Sequence, residues 1–118
     1  MKTKLGIYEL NRQYVSVYTD DASNGASFTT ADVKCMRPSI IIGIKCSWVD
    51  IVENVIHEAL EMALAEMRLR YHHTDKSRMD YGHLLFVFNH NDLIDICSSI
   101  APFISSVLAD LSRKCAKK

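Results

Sequence analysis

The residues whose types and spacing could do chemistry are His57 and Glu61, in the run His57-Glu58-Ala59-Leu60-Glu61. On a helix, side chains at i and i+4 stand one above the other, so this imidazole and carboxylate can converge on one point. Metalloprotease helices use that geometry for two metal ligands, with an intervening glutamate as the base. Here the second histidine of that pattern is a glutamate, which leaves an H-E-x-x-E motif. The opposing reading is a solvated polar face on which Glu53, His57 and Glu61 make ordinary i,i+4 contacts.

A divalent ion needs three or four donors at about 2.0–2.2 Å. All five histidines fall between positions 57 and 90. Asp80, His83 and His90 are therefore the further candidate ligands beside His57 and Glu61, along with His72 and His73, and zinc is the candidate ion. With an open position on such an ion, Glu58 is the candidate base of a degenerate zincin-like hydrolase. On the helical wheel Glu58 lies ~100° from His57, toward the flank of the polar stripe.

The element that must position these groups is Ser47–Tyr71, SWVDIVENVIHEALEMALAEMRLRY. Ser47 and Asp50 form a variant capping box, and no Gly or Pro follows until Gly82. Ala, Leu, Met, Glu and Arg dominate Ala59–Arg70, all strong helix formers. The 3.6-residue period separates an apolar stripe (Trp48, Val52, Val55, Ala59, Met62, Ala63) from a polar one (Asp50, Asn54, His57, Glu61, Arg68). Ile56, Leu60 and Met67 widen the apolar side, so the helix is expected to lie well into the core.

Around that helix the chain reads as short strands. Leu5–Leu10 and Tyr14–Thr19 carry β-branched and aromatic residues and form a hairpin across Asn11-Arg12-Gln13. Asp20–Ser27 is a loop by composition, and Phe28–Arg37 fits a helical turn or an edge strand. After Pro38 the run Ser39–Lys45 suits a central strand covered on both sides. His72–His83 is a polar connection, and Leu84–Phe88 reads as a second central strand. Asn89, with Asp92 three residues on, caps a second helix whose apolar positions are Leu93, Ile96, Cys97, Ile100, Ile104, Val107, Leu108 and Leu111. Their phase holds across Pro102, which predicts one kinked helix. The order β-β-(?)-β-α-β-α predicts an α+β fold, a two-layer α/β sandwich. Its mixed sheet has four or five strands, with two long helices packed on one face; the unit from Ile40 to Phe88 is long enough for a parallel, right-handed crossover, and a long loop could instead return the strand antiparallel.

Length and composition set the outer bounds. A chain of 118 residues makes one domain with a real core. Fourteen basic and fourteen acidic residues balance to zero net charge, which argues against a broad electrostatic nucleic-acid binder. A local cluster remains: Arg68, Arg70, Lys76 and Arg78, with His72 and His73 among them and Tyr71 and Tyr81 as bases' stacking partners. Glu66, Asp75 and Asp80 interrupt it. No signal sequence and no apolar run of about 18 residues is visible, so a cytoplasmic protein without a membrane span is expected. Of the four cysteines, Cys46 stands just before a helix N-terminus, where a thiol pKa falls, and Cys97 falls on an apolar helical face. No phosphate loop, nucleophile elbow or kinase motif is present.

With these residues in place, the layout resembles a group of small phage and prophage proteins. The matching features are the apolar strand Ile40–Lys45, Trp48, the His57–Glu61 motif, Tyr71, Asp80-Tyr81-Gly82, Leu84–Phe88 and Asn89-His90. They cover residues 40–111, and Tyr81 stands where the pattern often has His. The resemblance implies no particular activity. It implies a phage-encoded protein acting inside a bacterial cell, of a size class often used to bind and inhibit a host protein, defence-system components included. With no complete catalytic set, the expected role is a non-enzymatic interaction module acting on a host protein or complex. A metal-binding protein and a nucleic-acid-binding protein are the alternatives, and homo-oligomerisation is compatible with all three.

Overall fold

A computed structural model describes residues 1–29, 37–72 and 84–116. Asn11 and Arg12 both take positive φ, 51° and 66°, which is what a two-residue type I′ hairpin turn demands. That turn joins β1 (Lys2–Leu10) to β2 (Gln13–Asp20), with Leu10 opposite Gln13. The hairpin is as expected, but Gln13 belongs to the strand, because the primed turn needs only two residues.

β3 (Ala26–Thr29) and β4 (Ser39–Gly43) complete a four-stranded sheet in the order β1-β2-β4-β3. β1–β2 and β3–β4 pair antiparallel, while β2–β4 pair parallel. Ala26 and Ser27, expected in a loop, pair with Ile42 and Ile41. Of the ambiguous stretch Phe28–Arg37, the first two residues are strand and residues 30–36 lie outside the described residues. β4 is central, as its apolar run predicts. Ile40 and Ile42 are buried and Ile41, on the opposite face, is half-buried.

The end of β4 is fixed by a close backbone approach. Gly43 N–H donates to the Gly25 carbonyl at 2.7 Å, Lys45 N–H to Ser23 at 2.9 Å, and Ile44 N–H to Asp20 at 2.9 Å. A Cβ at position 43 would stand 2.3 Å from the Gly25 carbonyl oxygen and 2.5 Å from that of Ser23. Glycine is required there by space, not by φ.

α1 (Trp48–Glu66) follows directly. Ser47 caps it, accepting from Asp50 N–H at 3.2 Å. The helix stops at Glu66 instead of reaching Tyr71. Arg68 takes a φ of 61°, Leu69 N–H bonds the Leu64 carbonyl, and Arg68 N–H bonds that of Ala65. These are the paired bonds of a Schellman stop, made here with Arg in the left-handed position usually held by Gly. The early stop frees Arg70–His72 to form β5, which pairs antiparallel with β6 (Leu84–Phe86) in a separate two-stranded ribbon. Leu84–Phe88 is therefore not a central strand, and the expected crossover from Ile40 to Phe88 within one sheet does not form. The one parallel pair in the sheet, β2–β4, is connected through β3 instead.

α2 (His90–Ala116) begins with a reciprocal capping box. Asp92 N–H donates to Asn89 Oδ1 at 2.9 Å and Asn89 N–H to Asp92 Oδ2 at 3.0 Å. It continues through Pro102 as one helix. Its buried stripe is Ile96, Phe103, Val107 and Leu111. Cys97, expected in the core, is exposed, because it sits ~100° around the helix from Ile96. By length and composition α2 could also cross a bilayer, with a mean hydropathy of 1.5 over 18 residues. Hydropathy alone thus does not support the expectation of no membrane span.

The core is a single layer between sheet and helices, as the α+β reading requires. Leu10, Val15, Val17, Ile40 and Ile42 from the sheet meet Ile51, Val55, Ala59 and Met62 from α1 and Phe103, Val107 and Leu111 from α2. Tyr8 clamps α2 to the outer strand. Its ring meets Phe103 edge-on, with centroids 6.1 Å apart, and its hydroxyl donates to Asp110 Oδ2 at 2.5 Å. Asp110 also pairs with Arg113. Burial pushes the Tyr8 phenol pKa up, against an opposing pull from Arg113.

Two substitutions test these constraints by thermal or urea melts. Gly43→Ala forces backbone apart and is expected to cost about 1–3 kcal/mol, whereas Gly25→Ala, facing open space, is expected to be close to neutral. Asp110→Ala strands the Tyr8 hydroxyl and is expected to cost about 1–2 kcal/mol; Arg113→Ala should cost less, since Arg113 is largely exposed.

Candidate functional site

α1 places its residues by a plain rule. Ile51, Val55, Ala59 and Met62 point into the core, and the face directly opposite carries His57. Between the two lies Glu58, one position on from His57 and three before Glu61. The polar stripe expected from the sequence is real at Asp50, His57 and Arg68, all exposed. Trp48, however, is exposed at the helix start, and Ile51, absent from the expected apolar stripe, is buried. The buried face is therefore turned slightly from the expected one, toward Glu58.

His57 Nε2 and Glu61 Oε2 lie 2.9 Å apart, with the His57 side chain 66% exposed. This is the i,i+4 convergence the motif predicts. Glu58 joins them: one ligand atom from each of His57, Glu58 and Glu61 lies within 4.8 Å of the others. Glu58 itself is only 6% exposed. Burial raises the pKa of its carboxyl, the neighbouring Glu61 raises it further, and His57 pulls it down. Among the described residues, the one side-chain oxygen that is closed off from solvent without a hydrogen-bond partner is Glu66 Oε1, so the Glu58 oxygens keep a path to solvent. Sequence reading placed Glu58 as a base at the flank. Its burial was legible only in part, from its position on the wheel.

Among the described residues, no other expected ligand joins this group. His90 is exposed at the first residue of α2 and is not part of the group. Asp80 and His83 lie outside the described residues. Of the basic cluster, Arg68 is exposed in the Schellman stop and Arg70 opens β5, while Lys76 and Arg78 lie outside the described residues. Cys46 is no activated thiol: burial pushes its pKa up, with Asp50 and Cys115 adding to the rise. Its Sγ faces the Gly43 carbonyl at 3.7 Å.

A second feature was not foreseen. Phe86, Val87, Phe88, Leu93 and Ile94 are all exposed, Val87 at 59% and Ile94 at 50%. Five large apolar side chains are thus open within nine consecutive positions. Val87 N–H donates to the Leu69 carbonyl at 3.0 Å, which ties this segment to the end of α1. On α1, Val49, Ile56 and Leu60 are also exposed. The sequence signal was present in LLFVF, but a run of that composition reads as core until its strand partner is known. A separate groove of about 610 Å³ lies beside the β1–β2 turn, lined by Glu9, Arg12, Met67, Asp95 and Pro102 among others. It contains none of the His57 group.

Compared with family models, with curated proteins and with solved structures, the chain matches none.

The burial of Glu58 has a measurable consequence. A carboxyl whose folded pKa is raised favours the fold at low pH, and that contribution is lost as pH rises from its unfolded value through the folded one. The raised pKa of Glu58 therefore works against folding as pH rises toward neutral. In metal-free protein, Glu58→Met is expected to stabilise at pH 7 by on the order of 1 kcal/mol. The gain should shrink toward pH 4, as followed by melts across that range.

Proposed function

We propose that this chain is a non-enzymatic interaction module that docks on a protein partner through its exposed apolar surface. The observation that carries the reading is the open segment Phe86–Phe88 with Leu93 and Ile94. Singly exposed apolar residues are ordinary on a folded protein, but a concentration of large ones marks an interaction surface. Two of the five are aromatic, the residue class that supplies anchors at protein interfaces.

The resemblance to small phage proteins favours a bacterial host protein as the partner, with modulation of that protein as the outcome. Zero net charge supports a protein partner over nucleic acid, for which a concentrated basic face is the usual footprint. Among the described residues, the groups around Glu58 add no nucleophile to the His57–Glu61 pair, which leaves a binding role better supported than catalysis.

The test is photo-crosslinking at position 87 in a bacterial cell, followed by purification and mass analysis of the complex. Wild type is expected to yield one dominant heterologous partner at near-equal stoichiometry. Val87→Asp combined with Ile94→Asp should reduce that yield at least tenfold, with the melting temperature unchanged because both side chains are exposed. A chain that crosslinks only to itself, or a complex that survives the double substitution, overturns the reading.

A further inference from the structure

We propose that His57, Glu58 and Glu61 form a binding site for one divalent cation of the zinc class, with Glu58 as a ligand and not a base. The proposal is independent of the docking surface, since no residue is shared between the two.

The first argument is geometric. Donors held at about 2.1 Å around a tetrahedral ion stand roughly 3.4 Å from one another. His57 Nε2 and Glu61 Oε2 are already 2.9 Å apart, and Glu58 brings an oxygen within 4.8 Å of both. Coordination asks the first pair to open slightly and the third donor to approach. All three come from a little more than one turn of a single helix, so the fold itself sets their separation.

The second argument is the state of Glu58. A carboxylate only 6% exposed beside the apolar face of α1 is a local conflict with the core, and such conflicts concentrate where function requires them. The His57–Glu61 pair does not remove it: His57 offsets part of the Glu58 charge, and Glu61, whose side chain is only 17% exposed, adds a second negative charge beside it. A cation does. Two carboxylates and a neutral imidazole balance a charge of +2, so one divalent ion compensates both carboxylates at once.

The donor set then selects the ion. Calcium and magnesium favour all-oxygen shells of six or more ligands, whereas one imidazole with two carboxylates suits zinc and its neighbours. The exposed side of His57 leaves the remaining position open to water. With Glu58 engaged as a ligand, the group retains no carboxylate to serve as base, so the site holds an ion without the hydrolase chemistry that the motif first brings to mind.

The experiment is calorimetric titration of the metal-stripped full chain with zinc chloride at pH 7, where imidazole is available as a ligand, with magnesium chloride as a second titrant. The expected result is one zinc per chain, a raised melting temperature with zinc, and no matching magnesium binding. Glu58→Gln and Glu61→Gln should each weaken zinc at least tenfold while leaving the metal-free circular dichroism unchanged. Cys97→Ser, at the exposed thiol, should leave binding intact. The proposal is overturned by absent stoichiometric zinc, by equal affinity for magnesium, by loss of binding in Cys97→Ser, or by binding that persists in Glu61→Gln. That last variant decides the matter even where Glu58→Gln fails to fold.

Discussion

The architecture depends on one backbone contact, the packing of residues 23–25 against Gly43. A parallel pair such as β2–β4 cannot be joined by a tight turn; the chain must leave one strand, travel and return. Here it travels through β3, which pairs on the far side of β4. The loop from Asp20 to Gly25 therefore crosses the end of β4, and it does so at a distance that no side chain at position 43 would tolerate. Three backbone hydrogen bonds lock it there. Asn54, on the first turns of α1, donates to the Asn24 carbonyl in the same loop at 3.2 Å. The start and heading of α1 are thus tied to the loop, and with them the orientation of every residue from His57 to Glu61.

Within α1 the energetics pull in opposite directions. Val55, Ala59 and Met62 are fully enclosed, and burial of each large apolar side chain contributes about 1.5–3 kcal/mol. Glu58 is enclosed by the same surface and opposes it. The neighbouring His57–Glu61 pair offsets little of that penalty, since its imidazole is 66% exposed and pairs open to solvent are worth about 0–1 kcal/mol. The helix is stable because its apolar face is long, and it is this surplus that accommodates one badly placed carboxylate. A sequence selected for stability alone would place an apolar side chain at position 58.

How much of this was legible in the sequence depended on the range of the interaction. Local signals were reliable. Ser47 and Asn89 cap their helices as their residue types predict, the hairpin forms where the aromatic and β-branched residues alternate, and His57 meets Glu61. Signals that depend on distant partners were not. LLFVF has the composition of a central strand, yet its partner is β5, a strand that exists only because Arg68 accepts a left-handed conformation that Arg rarely takes. Cys97 and Trp48 were assigned to apolar stripes by periodicity, and a rotation of tens of degrees about each helix axis, set by tertiary packing, leaves both exposed. Glu58 reads as polar surface for the same reason: the wheel gives its angle but not how far the neighbouring elements wrap around the helix.

The Tyr8–Asp110 bond joins residues 102 positions apart. During synthesis, the strands that contribute Val15, Val17, Ile40 and Ile42 to the core emerge well before α2, which supplies Phe103, Val107 and Leu111 to it. Until α2 leaves the ribosome, the α2-facing side of that apolar layer has nothing to close it, and β1 presents Tyr8 without its partner. Such long sequence separation slows folding, because the loop must close before the contacts reward it. The hairpin and α1 can form early, but the cooperative fold is a late event, and a nascent chain stalled before Phe103 would expose aggregation-prone surface.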